Sequence, residues 1–235
     1  MFRQPEGKGN SSLALAPKSA TLGHVMQSPF SGQLAFGDKS SDPRYGFQNY
    51  TIKRKALQMF GATVYLYGPN EQLIMWGKRQ AWKLRAEMHF FTDENQTEEL
   101  IRIVPRSAVN FSATYDVFDA RTNQKIGAFA RQGLTSMLVQ DTWKILDAQD
   151  REVGQALEDS AILGLLRRFV EYASLIFPQK FHATVGGMPV ATYARHSNPF
   201  SSRVDIDFSA DGQNALDRRL GVALAMLIEA VERKN

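Results

Sequence analysis

Residues 220–231, Leu-Gly-Val-Ala-Leu-Ala-Met-Leu-Ile-Glu-Ala-Val, are apolar on nearly every side of a helical wheel. A surface helix carries one apolar stripe, whereas a helix apolar all round must be wrapped by protein or lie in lipid. At roughly 1.5 Å per residue the stretch reaches about 18 Å. That falls well short of the roughly 30 Å hydrocarbon core of a bilayer. The expectation is a helix starting near Asn214 and buried in protein, with Leu220, Leu224, Leu227 and Ile228 as its core contacts. The rest of the chain must then supply a container.

The preceding sequence reads as hairpins. Residues 62–67 and 73–76 flank Gly68-Pro69-Asn70-Glu71, a strong turn signal. From Arg79 to Phe90 the chain alternates, with Gln80, Trp82, Leu84, Ala86, Met88 and Phe90 on one side, which reads as a long strand or two strands joined at a bend. Then comes an internal echo. Residues 115–120 and 143–148 each lead through a polar turn to a returning Ile126-Gly127 or Val153-Gly154, and residues 204–208 begin a looser third copy whose turn holds Asp211-Gly212. Another hairpin centres on Gly186-Gly187-Met188-Pro189. Repeated hairpins build antiparallel sheet, and closure into a barrel removes the open edges of such a sheet. A barrel wider than about eight strands cannot fill itself with its own side chains. The terminal helix is suited to plug it.

Two segments stand apart. Residues 1–48 are rich in Ser, Gly, Pro and Gln without periodicity and read as a flexible tail. Residues 49–235 read as one barrel domain, interrupted near 160–177 by an amphipathic helix whose stripe is Ile162, Leu165, Leu166, Phe169, Val170 and Ala173. With no cysteine, the chain has no disulfide, thiolate nucleophile or palmitoylation site. It shows no apolar signal core and no membrane-spanning run, which reads as a cytoplasmic protein, at most peripheral to a membrane.

The order of motifs resembles the tubby C-terminal-like superfamily, in its LURP-one-related and phospholipid-scramblase branch. The resemblance rests on residues 50–55, the 117–120 and 143–147 hairpins, Val204-Asp205-Ile206-Asp207 and the closing residues 217–225, and it spans roughly residues 50 to 231. It implies a mainly β fold: a closed antiparallel barrel of about twelve strands around a central apolar C-terminal helix. It also implies lipid-linked roles, among them phosphoinositide binding and lipid scrambling. The helix at 160–177 departs from the compact branch, and the absence of cysteine departs from lipid-anchored members.

Charge is uneven. Residues 1–90 carry twelve Lys and Arg against five Asp and Glu, and residues 91–235 sixteen against nineteen. The basic candidates for anionic phospholipid are Lys53, Arg54, Lys55, Lys78, Arg79, Lys83 and Arg85, which as an edge defence would serve solubility instead. Asp207, Ser209 and Asp211 follow the spacing of a calcium loop, but Arg218 stands at the twelfth position where a bidentate Glu is required, leaving at most a weak calcium site. No nucleophile elbow, phosphate loop or dinucleotide fingerprint occurs, and His24, His89, His182 and His196 lack metal-ligand spacing. No cofactor and no catalysis are expected. Nucleic acid is disfavoured, because Trp82 alternates with the basic residues and points away from them. The alternative partner is another protein, docking on the tail or on the 160–177 stripe.

Overall fold

The computed structural model describes residues 41–55, 61–80, 87–107, 113–132, 142–159, 178–197 and 201–231. Twelve strands follow one another: β1 Asn49–Lys55, β2 Gly61–Tyr67, β3 Leu73–Gln80, β4 Met88–Phe91, β5 Glu99–Ser107, β6 Thr114–Asp119, β7 Gln124–Gln132, β8 Thr142–Asp147, β9 Glu152–Glu158, β10 Gln179–Val185, β11 Met188–Ser197 and β12 Ser201–Asp207. Among the described residues one α-helix, α1, spans Arg218–Val231. Every strand pairs antiparallel with its sequence neighbour, and β1 pairs with β12, so the sheet closes into a barrel.

The alternation sets the inside of the barrel. Ile52 lies opposite Val204 and Leu66, and Leu66 opposite Met75, all fully or almost fully buried. Phe129 opposite Tyr115 and Ile145 continues the lining. The helix fills the bore. Residues 219–230 are buried without exception, and Leu220, Leu224, Leu227 and Ile228 are at 0 % exposure. Each such side chain contributes about 1.5–3 kcal/mol of burial. No helix among the described residues is long and apolar enough to cross a membrane.

The helix needs close approach to the wall. A Cβ on Gly127 would meet a Leu220 methyl at 2.9 Å and the Leu146 carbonyl at 2.5 Å, and one on Gly221 would meet the Phe208 ring at 2.5 Å. The Tyr193 hydroxyl donates to the Gly221 carbonyl (3.1 Å), tying the wall to the helix backbone.

Of the two readings of the run from Arg79 to Phe90, the described ends take the second: they belong to two strands, β3 and β4, which run antiparallel with Trp76 opposite Phe91. Two features differ from the sequence reading. The third copy of the hairpin motif does not return as a strand: after β12 the chain turns and becomes α1, because all-round apolar residues cannot form a two-faced strand. The helix begins at Arg218 and not near Asn214, since Asn214 adopts a left-handed φ of 50° and Asp211 takes the backbone N–H groups of Ala215 and Leu216.

Residues 41–48, read as the end of a tail, belong to the fold. The Asp42 side chain caps a 3-10 turn, Pro43–Tyr45, Tyr45 is buried, and the Gln48 carbonyl accepts from Phe208 N–H (2.8 Å). Residues 1–40 and the expected helix at 160–177 lie outside the described residues.

The meander sorts its connections between two mouths. The lower mouth holds the links 68–72, 92–98, 120–123, 148–151 and 186–187 and the 208–217 turn where α1 begins. At the upper mouth α1 ends, and there β1 ends at Lys55, β3 at Gln80, β5 at Ser107, β7 at Gln132, β9 at Glu158 and β11 at Ser197.

Candidate functional site

The basic run at the end of β1 is divided by the pleat. Lys53 stands outside, half-exposed, with its Nζ 2.6 Å from Glu71 Oε1 and 5.0 Å from the centre of the Tyr67 ring. Arg54, its neighbour, faces the bore and is only 7 % exposed. This corrects its placement in an outer basic cluster: successive side chains of a strand point to opposite faces. The ladder puts Lys55 and Lys78 on the two strands flanking Thr63 of β2, one on each side of it; Arg79 lies opposite Ala62, in the register shared by Met75, Leu66 and Arg54, which corrects its placement in the outer cluster for the same reason. Lys83 and Arg85 lie outside the described residues.

Arg54 instead enters a buried polar network at the upper mouth. Its Nε lies 2.7 Å from Glu229 Oε1. Glu229 is the one carboxylate in the buried run 219–230 of α1 and is 2 % exposed. Its Oε2 accepts from the Ser202 hydroxyl (2.5 Å) and lies 3.4 Å from Arg195 Nε. Arg195 Nη1 donates to Gln179 Oε1 (3.2 Å), whose Nε2 donates to Glu158 Oε1 (2.8 Å). The register already aligns the wall members, because Arg54 lies opposite Ser202 and Arg195 opposite Val204. Sequence reasoning assigned Glu229 and Arg195 no role. The available signal was a lone carboxylate inside an apolar helix, which demands an inward-facing cation.

The acidic turn is used internally. Asp207 is exposed and accepts from Ser209 N–H (2.8 Å). Asp211 is buried; Oδ1 accepts from Ala215 N–H (2.6 Å), while Oδ2 accepts from Leu216 N–H (3.1 Å) and Arg218 Nη1 (2.9 Å). The Arg218 guanidinium lies 4.4 Å above the Phe208 ring. Asp207, Ser209 and Asp211 are thus built into a helix-entry turn, and the residue at the twelfth position brings its own positive charge to Asp211. Among the described residues no group of three His, Cys, Asp or Glu side chains is arranged to hold a metal ion.

Asp217 caps α1, accepting from Arg219 N–H (2.9 Å), and also holds the Arg219 guanidinium, whose Nη1 donates to Asp119 Oδ2 (2.7 Å). Burial opposes the charge of Arg219, but its bonds to Asp217 and Asp119 outweigh it and hold its pKa above the ordinary value. The hairpin echo has the same physical root. Asp119 accepts from the N–H groups of Arg121 and Thr122, Asp147 from those of Gln149 and Arg151, and Asp207 from that of Ser209, so each motif ends in an acid-closed turn.

Trp143 is fully buried in the bore, as expected of core filler, whereas Trp76 occupies the outer register between Tyr65 and Phe91 and is covered there. Of the histidines, His89 contacts Glu99 (2.8 Å), His182 Asp159 (3.9 Å) and His196 Asp205 (3.5 Å), each separately on the outer wall.

Comparison with family models finds no match, and neither does comparison with curated proteins or with solved structures.

Proposed function

We propose that this barrel is a non-enzymatic lipid-binding module of the tubby-like, LURP-one-related and scramblase type, associating peripherally with anionic phospholipid through a basic rim at its upper mouth. The observation that carries the reading is the register that sets Lys55 and Lys78 on the strands flanking Thr63. Strand ends that gather cations at one mouth offer a compact charge to a flat anionic surface. Each basic group near such a surface contributes about 1 kcal/mol, so Lys55 and Lys78, with Lys83 and Arg85, which follow β3 in the sequence, suffice for reversible recruitment. Arg54 has no part in this rim, since its charge is committed to Glu229.

The test is co-sedimentation with phosphatidylcholine vesicles, with and without phosphatidylserine, across a salt series. Binding confined to the anionic vesicles and falling with salt supports the proposal, as does its loss in a Lys55→Glu, Lys78→Glu double variant. Equal binding to both vesicle types, absence of binding, or indifference to the double variant overturns it.

A further inference from the structure

Arg54, Arg79 and Arg131 repeat one position: each is the last residue but one of a strand that ends at the upper mouth, β1, β3 and β7. Arg195 stands two residues before the end of β11, at the same mouth. All four fall in the inward register. Arg54 and Arg195 reach Glu229 on α1. Arg131 lies opposite Trp143, its guanidinium 5.8 Å from the centre of that fully buried ring. Arg79 lies opposite Ala62, in the register of Met75.

Among the described residues, two carboxylates lie on the inward side of this mouth. Glu229 is one, and Glu158, the buried last residue of β9 opposite Phe181, is the other. Two carboxylates cannot neutralise four guanidinium groups, however the pairs form. The sequence between the strand ends at this mouth holds four Lys and Arg and four Asp and Glu, so it supplies no net acid.

The inward side therefore carries a surplus of two positive charges at the edge of an apolar bore. Arginine does not escape such a place by losing its proton. Charge removed from water is costly until it is paired, so the surplus favours an entering anion. A guanidinium is a planar fork of N–H donors that matches phosphate oxygens two at a time. A phosphate monoester carries about −1.5 to −2 near neutral pH, which is the missing charge. A carboxylate brings half of it and a neutral ligand none.

We propose that the inward side of the upper mouth binds a phosphate group, free or as a monoester, whose charge neutralises Arg79 and Arg131 while Arg54 and Arg195 stay with Glu229. The site is separate from the outer rim, because Lys55 and Lys78 fall in the opposite register. It does not rest on the membrane reading.

The experiment is isothermal titration of the full chain with sodium phosphate and with glycerol 1-phosphate, sodium chloride holding the ionic strength constant. Saturable binding of both is expected, with none for sodium acetate. Arg79→Gln and Arg131→Gln should each weaken it about tenfold or more, the loss of a charge-assisted hydrogen bond. Arg131→Lys keeps the charge but loses the fork and should weaken it to a lesser degree. The Lys55→Glu, Lys78→Glu variant should still bind phosphate, so failure of the rim on vesicles and failure of this site are read separately. Vesicles containing phosphatidic acid identify the source: displacement of bound phosphate supports a lipid headgroup at the site, and its retention supports a soluble ligand there. The proposal is overturned if phosphate does not bind saturably, if acetate binds as well, or if Arg79→Gln and Arg131→Gln both bind as the parent does.

Discussion

The two mouths of the barrel hold opposite ends of one helix, and they do so at different ranges. At the lower mouth the partners are close in sequence: Asp217 with Arg219, and Asp211 with Arg218 and the N–H groups of Ala215 and Leu216, with Asp119 the distant addition. At the upper mouth the partners come from far along the chain, Arg54 on β1, Arg195 on β11 and Ser202 on β12, all converging on Glu229. The lower contacts build the turn that starts the helix. The upper contacts exist only after the barrel has closed around it, so they set how deep the helix sits and which wall residues it meets.

The strongest way to break the comparison is to destroy what both ends serve. Leu224→Asp puts an unpaired charge in the bore, a loss above about 4–5 kcal/mol against a domain stability of roughly 5–15 kcal/mol. Denaturant unfolding should show no cooperative transition or a collapsed midpoint. Next is the upper mouth alone. Glu229→Ala leaves Arg54 and Arg195 without their buried carboxylate and should cost about 3–5 kcal/mol, read as a lower urea midpoint. A Glu229→Leu, Arg54→Met double variant should recover part of that loss, because an apolar replacement removes both desolvation penalties.

The lower mouth should be more forgiving. Asp217→Ala removes a cap and one of the two carboxylates on Arg219, which keeps Asp119, so about 1–2 kcal/mol is expected. A loss equal to that of Glu229→Ala would erase the distinction drawn between the mouths. The remaining effect is a pH limb at the alkaline end. Burial, partly offset by the Phe47 N–H that bonds its hydroxyl, pushes the Tyr50 phenol up to about 12 from 10.0. The folded state therefore resists ionisation that the unfolded chain accepts. This contribution is complete below pH 10 and is lost as the pH rises toward about 12. Following the unfolding midpoint across that range, Tyr50→Phe should make the limb shallower, while the Tyr45 and Tyr193 phenols, which burial also pushes up, carry the rest.

How far the sequence could be read follows the same division. The hairpins were legible because period-two alternation and turn residues such as Gly68-Pro69 and Gly186-Gly187 are local signals. The plug was legible because an all-round apolar helix admits few other fates. The run Lys53-Arg54-Lys55 misled, since adjacency in sequence is opposition across a strand. Unbroken alternation from Arg79 to Phe90 could not announce that the chain reverses, because period two carries no direction. Asp211 was found as an acid in a turn, but its partners could not be, since Asn214's left-handed backbone decides which N–H groups reach it. Glu229 and its arginines depend on contacts between a helix and strands far apart in the chain, and nothing in a linear pattern brings them together.

The seam between β1 and β12 dictates an order of assembly. Eleven of the twelve strand pairings join sequence neighbours and can zip up as the chain emerges from the ribosome; this one must wait for Ser201–Asp207. The residues that fill the bore are made later still. Until they arrive, the nascent sheet has two bare edges and an apolar trough with nothing in it, the state in which sheets pair with strangers. A release or stall before residue 201 therefore yields a chain that is most of a barrel and fit mainly for aggregation. Residues 201–231 both close the sheet and fill it, so everything synthesised before them waits on that one stretch.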